Sequence, residues 1–160
     1  MMSANRQQCV VAQRDHSRDY PILDTRTLET EEILEGVRGS SGKADWSSSG
    51  HYLAKGSYRS PPTVWDVQTG ECVAELDGPR AASMYLAFSP DERLLAGTAR
   101  DNVLRIWRCS DWKLVAQIAD LDGGLLGGLA FHPSQPILAS GAEGGHRIKL
   151  WEYDLSEVLR

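Results

Sequence analysis

The sequence predicts an all-β chain of repeated antiparallel sheets, and three observations predict it. Apolar residues fall in short runs of four to seven, separated by Gly, Pro, Asp and Ser, a spacing that suits strands and not helices. A Leu-Ala pair recurs at Leu53-Ala54, Leu95-Ala96 and Leu138-Ala139, and a tryptophan follows each pair's Leu by 12 or 13 residues, at Trp65, Trp107 and Trp151. An aromatic residue, Trp46, Phe88 or Phe131, opens each unit 19 or 20 residues before its tryptophan. A period of about 42 residues means that each unit must bury its face against its neighbours. Four antiparallel strands in that length make one β-propeller blade. The chain holds three to four such blades, which predicts an incomplete or open propeller.

The elements follow in order. Residues 1–8 are polar and read as a flexible N-terminus, and residues 9–160 as the propeller segment. A partial unit spans 9–34: Val11-Ala12, Leu23-Asp24 and Leu34-Glu35-Gly36 each lie 42 residues before Leu53-Ala54, Trp65-Asp66 and Leu76-Asp77-Gly78. Leu23 therefore stands where the other copies carry tryptophan. The second unit spans 43–76 and the third 84–118, with strands predicted near Met84 to Phe88, Leu94 to Thr98, Val103 to Arg108 and Lys113 to Ile118. Ser89-Pro90-Asp91 and His132-Pro133-Ser134 are turn sequences. The fourth unit spans 125–160, and its close, Leu155 to Arg160, is too short for a full strand and fits a helical turn equally well.

A chain of 160 residues, 41% hydrophobic and 24% charged, can bury a core without disulfides or metal staples. Its net charge of -5 gives no reason to expect nucleic acid as a partner. No apolar run approaches the roughly 20 residues of a membrane helix, and the patch Cys9 to Ala12 falls short of a signal peptide, so a cytoplasmic protein without a membrane partner is expected. Cys9, Cys72 and Cys109 are odd in number and far apart, and are expected as reduced, buried, small apolar residues.

The motifs resemble those of the WD-repeat family: Leu-Ala-x-Gly-Ser at 53–57, Val-Trp-Asp-Val-Gln-Thr-Gly-Glu-Cys-Val at 64–73 and Phe-Ser-Pro-Asp at 88–91. The resemblance covers residues 9–154. In that family a Gly-His pair, a Ser or Thr, a turn Asp and the strand Trp form a hydrogen-bonded tetrad. The resemblance places the pair at Gly36-Val37, Gly78-Pro79 and Asp120-Leu121, so the His is missing each time. The turn Asp survives as Asp101, with Arg59 and Gly144 in the other copies, and the Ser survives as Ser57. The indole N–H groups then need other acceptors, because a buried unpaired donor costs about 1–3 kcal/mol. Blades that depend on apolar packing are expected.

Candidate chemistry is sparse. Val37 to Ala44 approaches a phosphate-cradling loop, but Val37 replaces its first Gly, Ala44 supplies no hydroxyl, and a strand follows where the motif needs a helix. Gly123 to Gly128 does not fit Gly-x-Gly-x-x-Gly and also feeds a strand. His16, His51, His132 and His146 lack ligand spacing, and no Gly-x-Ser-x-Gly elbow occurs. No catalytic residue, metal or cofactor is expected. Under the resemblance, the loops between second and third strands and between blades share one rim, which would collect Arg14, Arg18, Arg38, Tyr58, Arg59, Arg80 and Arg100. Arginine suits bidentate capture of carboxylate or phosphate, so an acidic or phosphorylated peptide is the ligand class expected there.

The reading is a noncatalytic scaffold or adaptor that binds other proteins. A second reading takes the ending Lys149 to Leu159, which resembles the tail of long bacterial WD-repeat arrays on signalling ATPases, and makes the chain a C-terminal sensor fragment. A propeller enzyme is the third. An open propeller also calls for a second copy or another chain to complete it.

Overall fold

The structure is a computed structural model that describes residues 7–10, 20–35, 43–57, 60–78, 85–119, 125–143 and 147–158. Four antiparallel sheets follow one another along the chain, none of them closed on itself. The first holds β1 (Gln8–Val10), β2 (Tyr20–Asp24) and β3 (Thr30–Leu34). The second holds β4 (Ala44–Trp46), β5 (Tyr52–Lys55), β6 (Thr63–Asp66) and β7 (Cys72–Glu75). The third holds β8 (Tyr85–Phe88), β9 (Leu94–Thr98), β10 (Val103–Arg108) and β11 (Lys113–Ala119). The fourth holds β12 (Leu125–Phe131), β13 (Ile137–Glu143) and β14 (Ile148–Glu152), followed by the helical turn α1 (Leu155–Val158). Neighbours in sequence pair within every sheet, which is the simplest up-and-down order.

The third sheet matches the sequence reading almost residue for residue. The first sheet corrects it. Cys9 pairs with Leu23 as Leu53 pairs with Trp65, so Cys9, and not Val11, is the equivalent of Leu53. The loop joining β1 to β2 thereby absorbs two residues more than the fixed offset allows, and Val11-Ala12 lies outside the described residues.

One device repeats between third and fourth strands. Asp24 Oδ1 accepts the backbone N–H groups of Arg26 and Thr27, and Asp66 Oδ1 accepts those of Gln68 and Thr69. The turn closes as Leu28, Gly70 and Trp112 donate to the carbonyls of Asp24, Asp66 and Arg108. Those three closing residues, 42 apart, have φ of 60°, 69° and 57°. A register shift accompanies each turn, at Ile22/Leu23, Val64/Trp65 and Ile106/Trp107, again 42 apart. The bulge twists the hairpin and sets the tryptophan position against the neighbouring sheet.

The core lies between sheets. Ile22 and Leu34 of the first share an apolar cluster with Trp46, Leu53, Trp65 and Val67 of the second. Ala54, Val64 and Leu76 of the second join Leu86, Phe88, Leu95 and Trp107 of the third. Leu94, Ala96, Leu104 and Ile106 of the third join Leu138 of the fourth, with Leu129, Phe131 and Trp151 packed alongside. The strands β4, β8 and β12 that open the last three sheets lie side by side, β8 against both others, as the inner strands of adjoining blades do. Asp45 Oδ2 reinforces this by accepting the Phe88 N–H at 2.8 Å across the junction.

The cysteines correct a second expectation. Cys72 is exposed on the outermost strand β7, and Cys9 and Cys109 are half-buried. Burial pushes the Cys109 thiol up to about 12, with the charges of Glu92 and Asp91 adding to it, so this thiol is not a nucleophile at neutral pH.

Candidate functional site

Turns between first and second strands and turns between third and fourth strands meet on one face. The first kind is also built twice in the same way. Ser47 N–H donates to the Tyr52 carbonyl and Ser89 N–H to the Leu94 carbonyl, while each serine hydroxyl accepts the N–H of its opposite residue at 3.1 and 3.0 Å. His132 takes the serine's place in the fourth sheet: its N–H donates to the Ile137 carbonyl, and its Nδ1 accepts the N–H groups of Ser134 and Gln135. That histidine is a turn former. The rigid turns also clasp one another, since Glu92 of the third sheet accepts from both the backbone N–H and the hydroxyl of Ser49 in the second.

Among the described residues a cleft opens on this face at each of the three junctions between sheets. A cleft of about 460 Å³ between the first and second sheets is polar, with Asp24, Arg26, Glu31, Ser49, His51 and Gln68 in its wall. His51 Nε2 lies 3.1 Å from Asp66 Oδ2, on the same carboxylate that caps the neighbouring turn. A second cleft of about 370 Å³ is lined by Tyr52, Glu92, Arg93, Arg108, Cys109 and Ser110. Arg108 grips Asp111 through Nε and Nη2 at 3.0 and 2.8 Å, and this pairing holds the Asp111 carboxyl down at about 2. The third, about 270 Å³, is more apolar, with Pro90, His132, Pro133, Pro136, Tyr153 and Leu155. Grooves that change from polar to apolar along a rigid face fit an extended peptide better than a small molecule, which needs an enclosing pocket.

Of the arginine rim expected from the sequence, Arg100 alone falls among the described residues. Arg14, Arg18, Arg38, Tyr58, Arg59 and Arg80 lie outside the described residues, and Arg100 is exposed in the turn between β9 and β10. Beside it, Asp101 does not serve a tetrad: it takes Arg105 Nη1 and Nη2 at 3.2 and 2.6 Å, and Arg105 is itself buried. Ser57 is buried but is not the acceptor used by the indoles. Trp65 donates to Thr63 Oγ1 at 3.0 Å, Trp107 to the Asp77 carbonyl at 3.0 Å and Trp151 to Ser140 Oγ at 2.8 Å. Leu23 needs no acceptor and pairs in register with Cys9.

Sequence reasoning missed Arg105, Thr63 and Ser140. Asp101 and Arg105 do carry a signal, an acid and a base four apart across one turn. Ser140 has none, because only the register Ser140 to Lys149 places it near Trp151. Lys55 was missed too: buried, with its Nζ 4.7 Å from the centre of the Tyr20 ring, its ammonium is driven down to about 8 by desolvation. Of the loop resembling a phosphate cradle, Lys43 and Ala44 are described, and Ala44 opens strand β4. Of the glycine run, Gly127 and Gly128 belong to β12, and Gly123 and Gly124 lie outside the described residues. Among the described residues no group of three His, Cys, Asp or Glu is placed to hold a metal ion, and no helix is long and apolar enough to cross a membrane.

A family profile described as "WD domain, G-beta repeat" matches residues 70–108 and 118–152. Each match begins in or before the outermost strand of one sheet and ends with the third strand of the next, so the sequence repeat staples neighbouring sheets together. The nuclear distribution protein PAC1 of Arthroderma otae is 39% identical over 100 residues, which cover 60% of this chain and 21% of that protein. The WD repeat-containing protein SL1-17 of Schistosoma mansoni is 30% identical over 112 residues, 70% of this chain and 37% of its own length. The telomerase Cajal body protein 1 of Mus musculus is 35% identical over 158 residues, 89% of this chain and 28% of its own length. The chain spans less than two fifths of each of these relatives.

Proposed function

The chain belongs to the WD-repeat family, and from that premise we propose that it is a noncatalytic module that holds extended segments of other proteins. The observation that carries this is the row of three clefts at successive sheet junctions, on a face made of hydrogen-bonded turns. Loops on a rigid frame bind without being ordered at the moment of contact, which lowers the entropic cost of capture. The buried groups with shifted pKa support the same reading. Lys55 and Asp45 lie in the packing between sheets and Cys109 in the wall of the second cleft; burial is the leading cause of all three shifts, and it disfavours the charged form of each group.

The finer reading is an acidic or phosphorylated peptide as ligand. Its support is the arginine content of two surfaces: the expected rim, of which Arg100 is exposed, and the cleft face, where Arg26 and Arg93 have side chains 80% and 61% exposed.

A peptide-display selection against the immobilised chain tests both. Phosphorylated or acidic peptides are expected to be enriched, and their binding should fall at least tenfold in Arg26→Glu/Arg93→Glu or in Arg59→Glu/Arg100→Glu, whichever pair marks the face in use, a loss of about 1.4 kcal/mol. Enrichment of no peptide class, or binding that survives both pairs in folded protein, would remove the proposal.

A further inference from the structure

Among the described residues the junction between sheets is built three times to one plan, and the outer faces of the first and fourth sheets carry its two halves without a partner. In each of the first three sheets the residue just before the tryptophan position packs against the next sheet. There Ile22 shares a cluster with Leu53, Val64 with Leu95, and Ile106 with Leu138. Leu53, Leu95 and Leu138 are themselves equivalent, each paired in register with the tryptophan of its own sheet. Ile22 and Val64 are 0% exposed and Ile106 is 4% exposed.

The fourth member of that series is Leu150, which is 69% exposed. Two residues earlier the pattern holds again: Leu104 is fully buried by the fourth sheet, and its equivalent Ile148 is 75% exposed. These are the two most exposed large apolar side chains among the described residues, and they stand side by side on one face of β14. At the other end, the equivalent of Leu53, Leu95 and Leu138 is Cys9, paired with Leu23. Both are half-buried, Ile33 on the neighbouring β3 is 44% exposed, and no apolar cluster of the described residues includes any of the three. The first sheet therefore offers the receiving half of a junction and the fourth sheet the inserting half. The exposure of Ile148 and Leu150 shows that the two do not meet within one chain.

We infer that these two faces meet between two copies of the chain, head to tail, with Leu150 of each copy seated against Cys9 and Leu23 of the other. The contact continues an interface the molecule already makes three times: the same face, with the same residue position at its centre, is buried by the same kind of partner. Two such contacts close a twofold pair of four sheets each. Eight blades lie within the range of about four to eight that propellers adopt. Closure also removes both open apolar faces, where a contact that failed to close would continue into a filament. This inference does not depend on what the cleft face binds.

Light scattering of the chain tests it, together with one directed cross-link. The wild-type protein is expected at twice the chain mass. Leu150→Glu, at an exposed position, is expected at the chain mass with an unchanged circular dichroism spectrum. In a Cys72→Ser background, Leu150→Cys treated with diamide, which takes up the two thiol hydrogens as the disulfide forms, is expected to give a covalent dimer that disappears when Cys9→Ser is added. A wild-type chain that stays at single mass at the highest soluble concentration, a species that grows without limit, or a cross-link indifferent to Cys9 would overturn the inference.

Discussion

Gly97 shows how single residues set the packing of a sheet. It lies on β9 beneath the Trp107 ring, where a Cβ would stand 2.8 Å from Trp107 Cζ3 and 2.9 Å from Leu86 Cδ2. Gly97→Ala must push a fully buried indole off its place, and is expected to destabilise the chain by about 1–3 kcal/mol, read from the midpoint of urea denaturation. Lys55 makes the converse case. Burial lowers its ammonium from the ordinary value of 10.5 to about 8, so the folded state binds its proton less tightly than the unfolded state does. The penalty is complete below about pH 8 and is relieved as pH rises from there towards 10.5, where both states lose the proton. Lys55→Met should therefore be more stable than wild type at pH 7, by about 1–2 kcal/mol once the lost cation–π contact with Tyr20 and the lost hydrogen bond to the Gly56 carbonyl are counted, with the difference shrinking across that window. A difference independent of pH would show that the lysine is not desolvated. The tryptophans were legible in the sequence because they recur. Their acceptors were not, because Thr63, the Asp77 carbonyl and Ser140 are three different solutions to one problem and leave no repeating letter.

The hairpin between third and fourth strands is the element the sequence specifies most fully. Asp at 24 and 66 and Gly at 70 declare a tight turn closed by a left-handed residue. Leu28 and Trp112 occupy the same conformation without glycine's freedom, which costs an L-residue about 1–2 kcal/mol. Trp112 recovers part of this by packing edge-on against Tyr52 at 5.3 Å and against Phe88. Leu28 is 68% exposed and recovers little. Leu28→Gly is accordingly expected to raise stability by about 0.5–1 kcal/mol, measured by thermal melting, and a fall would contradict the turn assignment. The first sheet was read two residues out of register at β1 because a fixed period cannot see loop length. Strand pairing decides it, since Cys9 stands opposite Leu23; a slip of two residues keeps every side chain on its face, so the apolar alternation along the sequence does not tell Cys9 from Val11. The close of the chain was open between strand and helical turn, and Leu155–Val158 form the turn.

At the scale of the whole molecule, repetition carried the prediction and also marked its limit. A period of about 42 residues was enough to give four successive sheets and the order of strands within them. The candidate site was less legible. Cleft walls combine residues from different sheets, such as Asp24 with His51, and nothing along the sequence shows that they face each other. The ends became interpretable only when each residue could be compared with its equivalents, since Leu150 looks ordinary until Ile22, Val64 and Ile106 are seen to be buried in its position. Concentration-dependent hydrogen exchange of the intact chain tests this account most directly. Amides of residues 148–152 and of residues 8–10 are expected to gain protection together as concentration rises, while β9 and β10, already packed between sheets, stay constant. Protection that does not change with concentration at either end, or that rises at one end alone, would contradict it.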